Sequence, residues 1–170
     1  MLIFVIAISI YYGYVNNLSL EEKGLVDELL ADAKTMSSSL VSAGYPAGWT
    51  NSTVERIGIT DGNYRINEAK LEQFSDMPYR DSRRLFGIRF DYFVFFEDKG
   101  RCLVEVDGSY GVGHPDVEIE DDENGPSGCT IGTERLVVGM DEISPEKLVK
   151  IVRLVVYNSE IIRMVVYVWQ

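Results

Sequence analysis

The sequence has few basic residues, and no charged side chain occurs before Glu21. It carries 16 Lys and Arg against 27 Asp and Glu, a formal net charge of −11. Binding to nucleic acid needs a basic face that releases the counterions of the phosphates, and docking on an anionic bilayer needs one as well. The composition therefore disfavours nucleic acid as a partner and attachment to a membrane through surface charge.

Histidine is almost absent, and His114 is the only one. Catalysis by a Ser/His/Asp or Cys/His arrangement would have to use it, and no GxSxG motif lies nearby. The glycines Gly108, Gly111 and Gly113 lack the Lys-Ser/Thr of a phosphate-binding loop. We therefore expect a solvated loop histidine, no enzymatic activity and no cofactor.

The two cysteines, Cys102 and Cys129, form no CxxC motif and no cluster with zinc-ligand spacing. They are either two free buried thiols or one disulfide, and a disulfide fits an exported domain. We predict the Cys102–Cys129 disulfide, which would hold the Gly-rich acidic segment between them.

An acidic run follows His114 and contains a fragment of a calcium-binding loop, Glu120-x-Asp122-x-Asn124-Gly125. An EF-hand begins with Asp and closes with a bidentate Glu, whereas the closing position here is Ile131. A full EF-hand is therefore excluded, and a solvated acidic loop without metal is expected. Glu120, Asp122 and Asn124 remain the candidate ligands of an incidental surface Ca²⁺ site.

The N-terminal stretch 2–15 is the longest apolar run of the chain. It lacks the basic n-region and the cleavage site of a secretory signal peptide. It is also shorter than the ~20 residues of a spanning helix, since Asn16 and Asn17 interrupt it. The third interpretation is a helix that packs against copies of itself. The predicted membrane or assembly residues are Leu2, Ile3, Phe4, Val5, Ile6, Ile8, Ile10, Tyr11, Tyr12 and Tyr14.

An amphipathic stripe follows this run. Its apolar residues recur at steps of three and four, which predicts a helix with one buried face. The predicted helix continues to about residue 42, where Gly44 and Pro46 end it. The stripe consists of Leu25, Leu29, Ala33, Met36 and Leu40.

The remaining chain predicts short helices and an antiparallel sheet of about four or five strands, an α+β architecture. On a strand, alternate aromatic residues of the run 90–96 must face the helix. A loop is expected over 108–128, and Asn158-Ser159 is expected to be a hairpin turn. The predicted helices are 67–74 and 76–86, and the predicted strands are 54–59, 90–97, 101–106, 134–138, from about 150 to 157, and 161–169.

With these elements laid out, the chain resembles archaeal type IV pilin-like proteins, which carry a class III signal peptide. The resemblance covers nearly the whole length and depends on the order of several short motifs. These are the apolar start Leu2-Ile3-Phe4-Val5-Ile6-Ala7-Ile8, then Gly44-Tyr45-Pro46 with Trp49-Thr50, Val54-Glu55-Arg56-Ile57-Gly58-Ile59, Asn67-Glu68-Ala69-Lys70-Leu71, Leu85-Phe86-Gly87-Ile88 with Asp91-Tyr92-Phe93, and the closing Val155-Val156-Tyr157-Asn158 and Val165-Val166-Tyr167-Val168-Trp169.

The family implies export, removal of a leader by a membrane peptidase, and packing of the apolar helix into a filament core or the membrane. We therefore expect residues 1–18 to be the membrane or filament-core helix and residues 19–170 to be an extracellular domain. Many bacterial pilins carry an acidic residue near the N-terminus, and this chain does not.

Two functions are compatible with these features. The first is a structural subunit or minor component of a surface filament, with copies of itself or related pilins as partners. The alternative is a membrane-anchored extracellular binding domain that does not polymerise. Export would also allow glycosylation of the sequon Asn51-Ser52-Thr53, while the sequon at Asn17 lies beside the apolar run and is expected to stay bare.

Overall fold

Three helices precede six strands in the described parts of the chain, which are residues 23–106, 108–121, 136–140 and 143–170 of a computed structural model. The predicted α+β class is confirmed. The helices are α1 over 23–40, α2 Glu68–Ser75 and α3 Tyr79–Phe86, and the strands are β1 Asp91–Glu97, β2 Gly111–Gly113, β3 Glu118–Asp121, β4 Leu136–Gly139, β5 Leu148–Tyr157 and β6 Glu160–Trp169.

The main sheet has four described strands in the order β2-β1-β6-β5, and every neighbouring pair is antiparallel. Val165 on β6 lies opposite Phe95 on one side and Val152 on the other. Strands β3 and β4 pair with each other in a separate small sheet. The predicted antiparallel sheet is therefore confirmed with four strands, and the small sheet is an addition to it.

Helix α1 covers one side of the main sheet, which we call the helix face. The predicted stripe is confirmed, because Leu29, Ala33, Met36 and Leu40 are fully buried. They share one core with alternate strand residues, including Tyr92, Val94 and Phe96 of β1. The helical period of 3.6 and the strand period of 2 place the two apolar sets against each other.

The opposite side of the sheet, which we call the outer face, has a second core. Phe93, Phe95, Val165 and Trp169 are buried there beneath residues of the small sheet and its flanks. The covering residues are Val117, Ile119, Val138, Met140 and Ile143. The aromatic run of β1 therefore fills two cores, one on each face.

Local signals explain the two short helices. The Asn67 side chain accepts a hydrogen bond from the backbone N–H of Lys70, which caps α2, and Gly87 ends α3 in the left-handed conformation at φ 67°. Both predicted helices are confirmed with bounds shifted by up to three residues. Phe74 of α2 and Phe86 of α3 pack on Tyr92, so the helices extend the helix-face core.

Five other predictions need correction. The long N-terminal helix is not supported, because the described helix covers only 23–40 and the apolar half predicted before it lies outside the described residues. The helix ends at 40 rather than about 42 because the Ser42 N–H bonds to the Ser39 carbonyl and Gly44 turns the chain at φ 70°. Residues 54–59 are not a strand.

The 54–59 segment is held by the end of α1 instead, since the Ile59 N–H donates to the Leu40 carbonyl. The predicted loop over 108–128 contains β2 and β3. The predicted strand 101–106 is reduced to isolated bridges, such as Glu97 with Leu103. For the 54–59 segment and for β2, contacts distant in sequence, rather than local pattern, determine the backbone.

Candidate functional site

A cleft of about 380 Å³ lies at the β2 edge of the main sheet, which is within the size range of small-molecule sites. One wall comes from the start of α3, and the other comes from the chain around β2. About half of the lining residues are aromatic or carry a hydroxyl, among them Tyr79, Ser82, Tyr92, Tyr110 and His114, and Met77 adds an apolar side chain.

Tyr79 and Arg83 of α3 converge on Asp91 at the start of β1. The Tyr79 hydroxyl and the Arg83 guanidinium each donate to Asp91 Oδ1 at 2.8 Å. The Tyr79 oxygen in turn accepts the backbone N–H of Tyr92 at 3.2 Å. Burial, and then the hydrogen bond donated to Asp91, raises the pKa of Tyr79 above its ordinary value. These bonds fasten α3 to the sheet and keep the phenol protonated.

Tyr92 and Ser82 form a buried hydroxyl pair deeper in the cleft. The Ser82 hydroxyl also donates to the Tyr79 carbonyl at 2.8 Å. Burial raises the pKa of Tyr92, and the hydrogen bond with Ser82 offsets part of that rise. The hydroxyls of Tyr79, Ser82 and Tyr92 are therefore each hydrogen-bonded to another protein group.

His114 is packed between aromatic rings, so the expected solvated loop histidine is wrong. Its ring lies 5.2 Å from the Tyr79 ring and 5.7 Å from the Trp169 ring, and only 21% of its side chain is exposed. The backbone N–H of Asp116 donates to its Nδ1 at 3.3 Å. No local pattern predicts this packing, since Tyr79 and Trp169 lie far from His114 in the chain.

The predicted metal ligands fall at the margin of the described chain. Glu120 is exposed on β3, whereas Asp122 and Asn124 lie outside the described residues. Within 23–106, 108–121, 136–140 and 143–170, no three His, Cys, Asp or Glu side chains are grouped so as to hold a metal ion. The Ca²⁺ site stays a hypothesis.

Two covalent modifications were predicted, glycosylation of Asn51 and a Cys102–Cys129 disulfide. The structure describes Asn51 and Cys102. Asn51 is exposed in a turn after Trp49, and its backbone N–H donates to the Gln73 side chain at 3.1 Å. Cys102 is buried, and Cys129 lies outside the described residues. Glycosylation of Asn51 and the Cys102–Cys129 disulfide stay predictions.

All the predicted assembly residues, Leu2 to Tyr14, lie outside the described residues. In the part of the chain that the structure describes, no helix is both long enough and apolar enough to cross a bilayer. Searches of family models, curated proteins and solved structures found no match to this chain.

Proposed function

We propose that this chain is a type IV pilin-like structural subunit of an archaeal surface filament, or a minor component of one, that assembles through residues 2–15. A helix that is apolar on every side has no stable place in water and must lie in lipid or among other helices. The chain would be exported, anchored in the membrane before assembly, and paired with copies of itself or related pilins.

The observation that carries the proposal is the uneven burial of α1. From Leu29 onward the apolar stripe is fully buried against the sheet. Over residues 23–28 the side chains are exposed or half-buried, and Val26 is 43% exposed. The described domain thus buries the stripe completely only from Leu29 onward, and before that Leu25 packs in part against the helix-face core. Val26, an exposed apolar residue at this less covered end, suits a helix that packs against other helices beyond the domain.

A charge placed in the apolar run tests this function. In the full chain purified from its native membrane, Ile6→Lys should abolish filaments in negative-stain micrographs and release the protein from the membrane fraction. The far-UV circular dichroism of the domain should be unchanged. Thr35→Lys is the matched control, since Thr35 is an exposed position of α1. A full native chain that remains a freely soluble monomer would overturn the proposal.

The cleft favours a second candidate, a membrane-anchored extracellular binding domain that does not polymerise. Its lining of Tyr79, Tyr110 and His114 offers apolar rings with polar edges, which suit a small polar ligand. The same purification separates the two candidates. Filaments support the structural subunit, whereas a membrane-bound protein that stays monomeric in detergent supports the binding domain.

A further inference from the structure

Strand β5 is an edge strand of the main sheet, and its outward side is only partly paired. In the order β2-β1-β6-β5 its inner side pairs with β6 along its whole length. On its outer side the only described pairing is at Val156, whose N–H donates to the Tyr64 carbonyl and whose carbonyl accepts the Ile66 N–H. Beyond this point the edge continues toward Leu148.

The backbone N–H and C=O of Val156 point away from β6, and this direction identifies the other backbone groups of β5 that do the same. In a strand, residues two apart direct their backbone N–H and C=O to the same side. The groups of Leu148, Lys150, Val152 and Leu154 therefore point away from β6. Within the described parts of the chain, no hydrogen bond reaches them. We call the stretch from Leu148 to Leu154 the free edge.

The side chains of the free edge are unusually exposed for apolar residues. Leu148, Val152 and Leu154 are 39%, 43% and 62% exposed. Ile161, on β6 opposite Val156, is 55% exposed. These residues lie on the outer face beside the second core, where the described residues of β3 and β4 do not cover them. A long apolar edge of this kind is a template for pairing with another strand.

Charge distinguishes the possible occupants of this edge. The protein as a whole is strongly acidic, but β5 contains no acidic residue; Lys150 lies on the outer face, whereas the Arg153 side chain contacts the Ser37 hydroxyl on the helix face. Glu97 lies 3.6 Å from both Lys150 and Arg163 on the outer face, so its single negative charge faces two positive ones. A second copy would bring the basic strand against itself. An acidic strand would instead complement Lys150.

We propose that the free edge binds an extended acidic segment of another protein by β-strand addition. The backbone of the segment pairs with the outward groups of Leu148, Lys150, Val152 and Leu154. An acidic side chain lies beside Lys150, and apolar side chains on either side of it cover Leu148 and Val152. Main-chain hydrogen bonds supply the affinity, and the alternate side chains supply the preference for acid.

Amide exchange and a synthetic peptide test this site in the full ¹⁵N-labelled chain in detergent. The probe is Thr-Val-Thr-Glu-Thr-Val-Thr with blocked ends, and the control peptide has Lys in place of Glu. In the free protein, the outward amides of Lys150 and Val152 should exchange at least tenfold faster than the inward amide of Ile151. The acidic probe should protect them, and the basic peptide should bind at least tenfold more weakly.

Three variants separate strand addition from other contacts. Val152→Pro removes one outward N–H without breaking the hydrogen bonds between β5 and β6. It should therefore weaken binding of the acidic peptide at least tenfold, whereas Val152→Thr should leave that binding unchanged. Lys150→Gln should remove the preference for the acidic peptide. If Val152→Pro unfolds the protein, the exchange pattern and Lys150→Gln still decide the question.

Three results would overturn the proposal. Outward amides already protected in the free chain would show that the edge is covered. Equal affinity for the acidic and the basic peptide would show that charge does not determine which strand binds. A dimer in sedimentation that Val152→Pro dissociates would assign the edge to a second copy of the chain.

Discussion

The two faces of the main sheet are formed by the same strands, yet they are covered to different extents. On the helix face, α1, α2 and α3 cover the sheet, and residues such as Val94, Val166 and Val168 are buried. On the outer face the small sheet covers the middle, around Phe95 and Val165. The β5 side of this face remains open among the described residues, and Leu154 is exposed there. Strand alternation provides two apolar faces, and the helices cover one more fully than the small sheet covers the other, although Val149 and Ile151 are only partly buried on the helix face.

The largest expected effect lies on the helix face. Phe96→Ala removes a buried side chain from the helix-face core and should lower the free energy of unfolding by about 3–5 kcal/mol. Leu154→Ala, on the open part of the outer face, should change it by less than about 0.5 kcal/mol. Chemical denaturation of the two variants measures both values. Equal losses would show that Leu154 is covered in solution and would remove the contrast between the faces.

An intermediate effect is expected from the disulfide. The Cys102–Cys129 bond would restrain the acidic segment that leads into β4. It would therefore stabilise the small sheet that covers the outer face. Cys102→Ser should cost about 3 kcal/mol on the chain-entropy model. Its effect on amide exchange should be larger at Val138 and Met140 than in α1. Alkylation of two thiols in the native protein without reductant would refute the bond.

A further expected effect is a pH dependence of stability that originates at the cleft. Tyr79 and Tyr92 have raised pKa values in the folded protein, so above pH ~10 the unfolded state loses phenol protons that the folded state keeps. Stability should therefore be complete below pH ~10 and fall above it, by about 1.4 kcal/mol per pH unit for each tyrosine. Tyr92→Phe should make this decline shallower, whereas Tyr45→Phe, at an exposed residue, should not. Chemical denaturation between pH 8 and 12 gives the slope of stability against pH for each protein. Identical slopes for Tyr92→Phe and the unchanged protein would show that Tyr92 does not contribute to the decline.

Much of the fold could be predicted from local pattern. The stripe from Leu29 to Leu40 predicted the buried side of α1. Asn158 and Ser159 predicted the β5–β6 hairpin, and both adopt positive φ values, 49° and 67°, as its two-residue turn needs. Of the candidate site, only individual residues could be predicted. His114 was noticed because it is the only histidine, but its packing against Tyr79 and Trp169 joins segments that no local pattern relates.

The short strands show where local pattern fails. Gly111 and Gly113 form most of β2, and glycine is normally unfavourable in a strand. Here a Cβ at Gly111 would lie 2.5 Å from the Phe93 ring, so the absence of side chains lets β2 approach β1. The neighbour that makes glycine favourable is distant in sequence, and the Gly-rich segment therefore looked like a loop.

The sequence by itself determined the elements whose periodicity is long enough to bury one side: α1, β1, β5 and β6. It also determined the acidic composition and the apolar run at 2–15. Only the tertiary structure decided that the aromatic residues of β1 fill two cores, that His114 is half-buried in a cleft, and that most of the outer edge of β5 has no paired strand among the described residues. The reason is physical. The period of apolar residues indicates which side of a helix or strand is buried, but the residues that pack against that side come from segments that only the tertiary fold brings close.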